Sequence, residues 1–205
     1  HFSFISFTEI EADSLERIFS TITGSFISAN FQGEEYAALV KPIVEATIEV
    51  YDTIARELLP TPAKSHYTFN LRDLAKVFQG MLMISPLKCK DQDTLSKLWL
   101  HESQRVFYDR LINFEDQGWF EKLACDLLSR HLGQMPQTPE QIFGENSVLF
   151  CDFMKAGVDV ENRRYELGGI DKITSLLGDA LDEYNVSFPT RMNLVFFSDA
   201  VRHIA

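Results

Sequence analysis

Between Ala12 and Phe31, the apolar residues Leu15, Ile18, Phe19, Ile22, Phe26 and Ile27 recur at three- and four-residue steps. That spacing draws one apolar stripe along an α-helix, and such a stripe is stable only against a packed partner. Similar segments follow, so the chain is constrained to a helical bundle. Asp13 or Ser14 is expected to cap the first helix, and Gly33 breaks it. Glu34 to Leu59 forms a second long segment. Pro42 lies inside it, which predicts a kink or a restart near Val40. Leu59-Pro60-Thr61-Pro62 ends it. A third helix is expected over Leu71–Ile84, with Asn70 at its N-cap and Asp73 three residues on, an approximation to a capping box. Pro86–Asp91 reads as a loop. Asp93–Asn113 and Asp116–Leu132 complete the series.

The texture changes after Gly133–Pro139, a Gly, Pro, Gln and Thr stretch that reads as a linker. Ser147–Phe153 is a short apolar run expected to be a strand. Ile170–Tyr184 reads as a helix, Phe188–Asn193 as a turn, and Leu194–Ala205 as the start of another helix. At the other end, His1–Phe7 alternates and is expected to be a short strand closing something upstream. The expected class is mainly α. Residues 1–11 end one unit, residues 12–135 form a helical bundle, and residues 136–205 open a second piece with some strand. The first residue is not Met and the last lie in a helical pattern, so a fragment of a longer polypeptide is expected.

Composition narrows the function classes. The 205 residues, 17 of them Phe, can fill a substantial interior. A net charge of −11 argues against general attraction to nucleic-acid backbones. No apolar run approaches the roughly 20 residues that span a bilayer. Cys89, Cys125 and Cys151 are far apart and read as reduced, packed cysteines, with no metal-ligand spacing. The phosphate-loop, dinucleotide and nucleophile-elbow patterns are missing. His101-Glu102-Ser103-Gln104-Arg105 begins like a zinc-protease helix, but Arg105 stands where the second histidine ligand belongs.

Two polar positions stand out. Arg72 sits in the first turn of the third helix, where the helix dipole disfavours a cation. Either it bridges Asp73 or another acidic neighbour, or an anion sits in front of it, and a guanidinium matches phosphate oxygens well. Glu102 falls within the stripe of Leu95, Leu98, Trp99 and Val106, and a carboxylate there needs a partner. Arg105 and Asp109 lie one turn on, so a charge network of Glu102, Arg105 and Asp109 is expected; the alternative is a catalytic acid or base. His66 and Lys64 precede the arginine helix. Each is read as a supporting or solvated loop residue, with a ligand contact as the alternative.

The segment Leu58–Leu74, which contains Ser65-His66-Tyr67-Thr68-Phe69-Asn70-Leu71-Arg72-Asp73-Leu74, resembles axonemal dynein heavy chains. It is closest to the small lid subdomain of their third AAA+ module. Phe4-Ile5-Ser6-Phe7 with Leu15–Ile22 resembles the end of that module's large subdomain and the first lid helix. Leu98–Glu102 and Arg105–Leu111 resemble a later lid helix. Phe150–Met154 and Met192–Phe197 resemble the entry to the fourth module.

The resemblance implies that residues 1–11 end the third module's large subdomain, 12–135 form its lid, and 136–205 link to the fourth. It implies that Arg72 is the second-sensor arginine, reaching the terminal phosphate of ATP. Asn70, His66, Leu194 and Val195 are the other candidates for proximity to nucleotide. ATP or ADP is the implied cofactor, with Mg supplied by parts of the parent outside this chain, and no metal site is expected here. The parent would be an ATP-driven, minus-end-directed microtubule motor of the cytoplasm and the ciliary axoneme. Its partners would be the neighbouring AAA+ modules, the microtubule, and dynein intermediate and light chains, with no nucleic acid and no membrane. The fragment alone is expected to lack ATPase activity. The competing reading is a stand-alone helical interaction or scaffold domain without nucleotide.

Overall fold

The computed structural model describes residues 2–6, 8, 10–89, 91–133, 138–143, 149–155 and 157–205, with the backbone alone at residue 141. The fold is mainly α. Helices α1 (Ala12–Asn30) and α2 (Glu34–Glu57) pack together. They are joined through Gly33, whose φ of 117° lies in a region that other residues avoid. Glu11, not Asp13 or Ser14, is the N-cap of α1, and it caps with no side-chain hydrogen bond. The chain simply enters the helix two or three residues earlier than those caps would dictate.

No restart occurs at Val40, because α2 runs unbroken through Pro42. The proline removes one rung of the ladder. Ile43 and Val44, both buried directly after it, keep the helix in register with the core.

Helices α3 (Leu71–Met81), α4 (Gln92–Val106) and α5 (Phe114–Leu132) complete the bundle. Helix α4 stops well short of Asn113. Phe107 and Leu111 are buried on either side of a 3-10 turn at Tyr108–Arg110, and burying both bends the chain. Asn113 then caps α5, its Oδ1 accepting from the Asp116 N–H at 2.8 Å. Gly133, at φ 62°, ends α5 in the left-handed conformation usual after helices. The core is continuous through Val44, Ile54, Leu74, Val77, Leu98, Trp99 and Phe120.

The remainder comprises α6 (Pro139–Phe143), strands β1 (Leu149–Cys151) and β2 (Glu166–Gly168), α7 (Ile170–Ser187) and α8 (Ser198–Ile204). The strands pair antiparallel with Phe150 opposite Leu167. Side chains alternate along β1 as strand geometry requires. Phe150 enters the main core, while Leu149 and Cys151 join a smaller cluster with Ile173 and Val201.

The predicted helix over Leu194–Ala205 begins only at Ser198. Leu194 to Phe197 is irregular and largely exposed, anchored upstream by two hydrogen bonds between the Asn185 side chain and the Met192 backbone.

Residues 2–6 form no strand. Phe2, Phe4 and Ile5 are exposed, and the segment enters no sheet among the described residues. Parts of the predicted linker, residues 134–137, and of the 147–153 strand lie outside the described residues, as does the boundary at 135/136. No helix among the described residues is long and apolar enough to cross a membrane. All three cysteines are free thiols.

Candidate functional site

The start of α3 is fixed by local chemistry. Asn70 is extended, and its Oδ1 accepts from the Arg72 backbone N–H at 2.8 Å. Asp73 returns the bond, its Oδ2 accepting from the Asn70 N–H at 3.1 Å. This capping box commits the Asn70 Oδ1, while Asn70 itself lines the same cleft as Arg72.

Asp73 is also claimed from outside. The Arg110 guanidinium lies 3.0 Å from it, and Asp73 is buried. The expected partner of Arg72 is therefore committed elsewhere. Arg72 forms no ion pair with any described residue and is exposed. It lines a cleft of about 720 Å³ between the start of α1, the end of α2 and the start of α3. Arg56 lines the same cleft, together with Asp52, Tyr51 and Phe69. Arg56 pairs with its neighbour Glu57 at 3.1 Å on the surface, a pairing of little energetic weight. Burial pushes the Asp52 carboxyl up, with Arg56 opposing. Two guanidinium groups against one carboxyl of weakened acidity leave the cleft suited to an anion.

The loop leading into α3 is riveted to the far side of the bundle. Arg110 donates to the carbonyls of His66 (2.9 Å) and Thr68 (3.0 Å) and stacks on the Phe69 ring at 4.8 Å. The His66 ring nitrogen lies 2.9 Å from the Arg110 carbonyl, so His66 braces the loop and does not line the cleft. Asp116 accepts from Lys64 Nζ at 2.5 Å and from the Tyr67 hydroxyl at 2.8 Å. Lys64 is thus held by a carboxylate and is not available to a ligand in the cleft. Leu194 and Val195 are exposed and also do not line it.

The expected charge network divides into two. Arg105 pairs with Asp109 at 3.2 Å, and His203 from α8 joins them, its Nδ1 3.2 Å from Asp109 and its carbonyl accepting from Arg105. Glu102 is not within this group. It is buried against Gly80 of α3 and makes no direct ion pair with Arg105, whose charge acts on it only through space.

Arg110, Asp116, Arg56 and Asp52 were not singled out from the sequence. Each lies in an ordinary charged helix or turn, and only long-range pairing marks it. Among the described residues no group of His, Cys, Asp or Glu is placed to hold a metal ion.

With this geometry in view, comparison with known proteins is specific. Residues 43–141 match the AAA+ lid domain, which covers α3 to α5, most of α2 and the start of α6. The whole chain is 44% identical to human dynein axonemal heavy chain 1 and 39% identical to human dynein axonemal heavy chain 6. It is 34% identical over 99% of its length to the dynein-1-beta heavy chain of the flagellar inner arm I1 complex of Chlamydomonas reinhardtii. The bundle that carries Arg72 is thus an AAA+ lid. The chain itself belongs to the axonemal dynein heavy-chain family. It spans about 5% of the length of the two human relatives and 4% of the algal one.

Proposed function

We propose that this chain is the lid of the third AAA+ module of an axonemal dynein heavy chain, joined to the start of the fourth. Residues 1–11 end the large subdomain, 12–135 form the lid, and 136–205 lead into the next module. The parent is an ATP-driven, minus-end-directed microtubule motor of the ciliary axoneme, working with the other ring modules and with dynein intermediate and light chains.

One observation carries the reading of the site. Arg72 is held at the rim of an open cleft by a helix start whose own carboxylate is already paired with Arg110. A guanidinium kept out of local ion pairs can bind a ligand phosphate. Arg72, with Arg56 beside it, would meet the terminal phosphate of ATP or ADP; the phosphate loop, the Mg ligands and the water-positioning carboxylate would come from parent segments outside this chain. Bound nucleotide supplies the phosphoryl charge. Arg72 contributes electrostatic stabilisation and no proton transfer or bond formation. Loss of that charge lets the lid tilt and so reports the nucleotide state to the following module.

Arg72→Ala in the parent heavy chain is expected to weaken nucleotide binding at the third module by about 10- to 100-fold, the worth of one charge-assisted contact. Microtubule gliding should slow with it. Nucleotide affinity and gliding equal to wild type would leave the stand-alone helical scaffold as the better reading.

A further inference from the structure

The 3-10 turn Tyr108–Arg110 is short and held on both flanks. Phe107 before it and Leu111 after it are buried in the core, and the Leu111 N–H donates back to the Tyr108 carbonyl at 2.9 Å. Tyr108 packs toward α5 and α6. Its ring centre lies 5.8 Å from that of Phe120 and 5.9 Å from that of Phe143, and its hydroxyl donates to Glu121 at 3.1 Å. A turn fixed in this way does not absorb a displacement by bending, because packed interiors deform little. What moves one of its side chains moves the others.

The two charged residues of the turn reach different parts of the chain. Arg110 reaches the helix start that carries Arg72. It lies 3.0 Å from Asp73 and donates to the His66 and Thr68 carbonyls, and the His66 ring returns to the Arg110 carbonyl at 2.9 Å. Asp109 reaches the last helix. Its carboxylate lies 3.2 Å from Arg105 and 3.2 Å from His203 Nδ1, and Arg105 also donates to the His203 carbonyl. Neighbouring residues of one turn therefore hold the start of α3 and the end of α8.

The hold on α8 crosses an open space. Arg105, Tyr108 and Asp109 line a cleft of about 740 Å³ whose lining also includes Phe197, Ala200 and His203. Its strengths are unequal. The His203 side chain is largely exposed, so its pairing with Asp109 carries little weight. Arg105 and Asp109 are each about two-thirds shielded or more, and the bond from Arg105 to the His203 carbonyl is charge-assisted. A second attachment of α8 is apolar: Val201 packs with Leu149, Cys151 and Ile173, residues of β1 and α7 and not of α3.

We propose that the turn Tyr108–Arg110 is the coupling element of this lid, tied by Arg110 to the helix start that presents Arg72 and by Asp109, through Arg105, to α8. The inference rests on the nucleotide reading of Arg72 and adds the route by which that site acts. A phosphate that draws on Arg72 displaces the first turn of α3. Asp73 and the loop from His66 pull on Arg110, the turn moves as a unit, and Asp109 shifts the grip of Arg105 on α8. Contiguity alone does not establish coupling; a response of one end to the state of the other does.

The test is hydrogen–deuterium exchange in the parent heavy chain at the Val201 and Ala205 amides, which donate to the Phe197 and Val201 carbonyls. Exchange is compared without nucleotide and at ADP concentrations that saturate each variant. In wild type the two states should differ about fivefold, the lower end of measured couplings between sites. Arg72→Ala, compared at saturation, removes the share of that ratio that starts at the cleft. Asp109→Asn should remove the same share and leave ADP affinity at the third module within about twofold of wild type, because Arg110 and its partners are untouched. Arg105→Gln should do the same. A role confined to anchoring α8 would lower protection equally with and without ADP and keep the wild-type ratio. That result overturns the proposal, as does a wild-type ratio of one or a loss of ADP affinity in Asp109→Asn as large as in Arg72→Ala. Unchanged ADP affinity in Arg72→Ala instead removes the nucleotide reading of Arg72, and the route falls with it.

Discussion

Replacing Trp99 with alanine is expected to cost this chain about 4 kcal/mol of folding stability, the range for deleting a large buried aromatic. Trp99 is fully buried on α4. Its Nε1–H donates to Thr47 Oγ1 on α2 at 2.9 Å, and the Thr47 hydroxyl donates in turn to the Ile43 carbonyl at 2.6 Å. The substitution therefore opens a cavity and strips the donor from a fully buried hydroxyl. Trp99→Phe separates the two effects. It keeps most of the ring and loses only the N–H, so about 1–2 kcal/mol is expected. Urea denaturation of the chain measures both. If Trp99→Ala costs no more than Trp99→Phe, the α2–α4 contact is not what holds the bundle together.

That contact shows where the sequence speaks and where it stops. Leu95, Leu98, Trp99 and Glu102 share a stripe because period 3.6 is written in the sequence, and the structure buries all four. Thr47 as the partner of Trp99 is not written anywhere, since it lies 52 residues away. The same divide runs through the candidate site. Asn70 and Asp73 are legible as a helix start because capping is local. Arg110, which takes Asp73 away from Arg72, comes from 37 positions on, in a 3-10 turn that the helical pattern of α4 conceals. Glu102 is legible as misplaced, but the gap over Gly80 on α3 that receives its carboxyl is not. Strand β2 is only Glu166–Gly168, with a terminal glycine and no alternation long enough to read. The restart offered near Val40 as one outcome of Pro42 failed for the opposite reason. A local rule was outweighed by the burial of Ile43 and Val44, which no local window can weigh.

Asp73→Ala is expected to lower folding stability by about 2–3 kcal/mol and to disable the Arg72 cleft without touching Arg72. Part of the loss is the cap: the Asn70 N–H, bonded to Asp73 at 3.1 Å, is left without that acceptor, a change worth about 1 kcal/mol. The rest is the Arg110 guanidinium, which loses its carboxylate while remaining partly buried among the His66 and Thr68 carbonyls and the Phe69 ring. Asp73→Asn distinguishes the two. An amide oxygen still accepts from Asn70, so the cap survives, while the charge facing Arg110 is gone. It should therefore lose less stability than the alanine variant.

The consequence for the site follows from geometry. Arg110 and the capping box together fix where the first turn of α3 begins, and Arg72 sits within that turn. With Asp73 gone, the loop from His66 to Asn70 loses one anchor at its α3 end, and the guanidinium at the cleft rim is no longer held in a single position. In the parent heavy chain, Asp73→Ala should then weaken nucleotide binding in the same direction as Arg72→Ala. Combining the two should add little, because both remove one pre-organised contact. Full additivity in that double-mutant cycle would mean that Asp73 supports the fold alone and has no part in presenting Arg72.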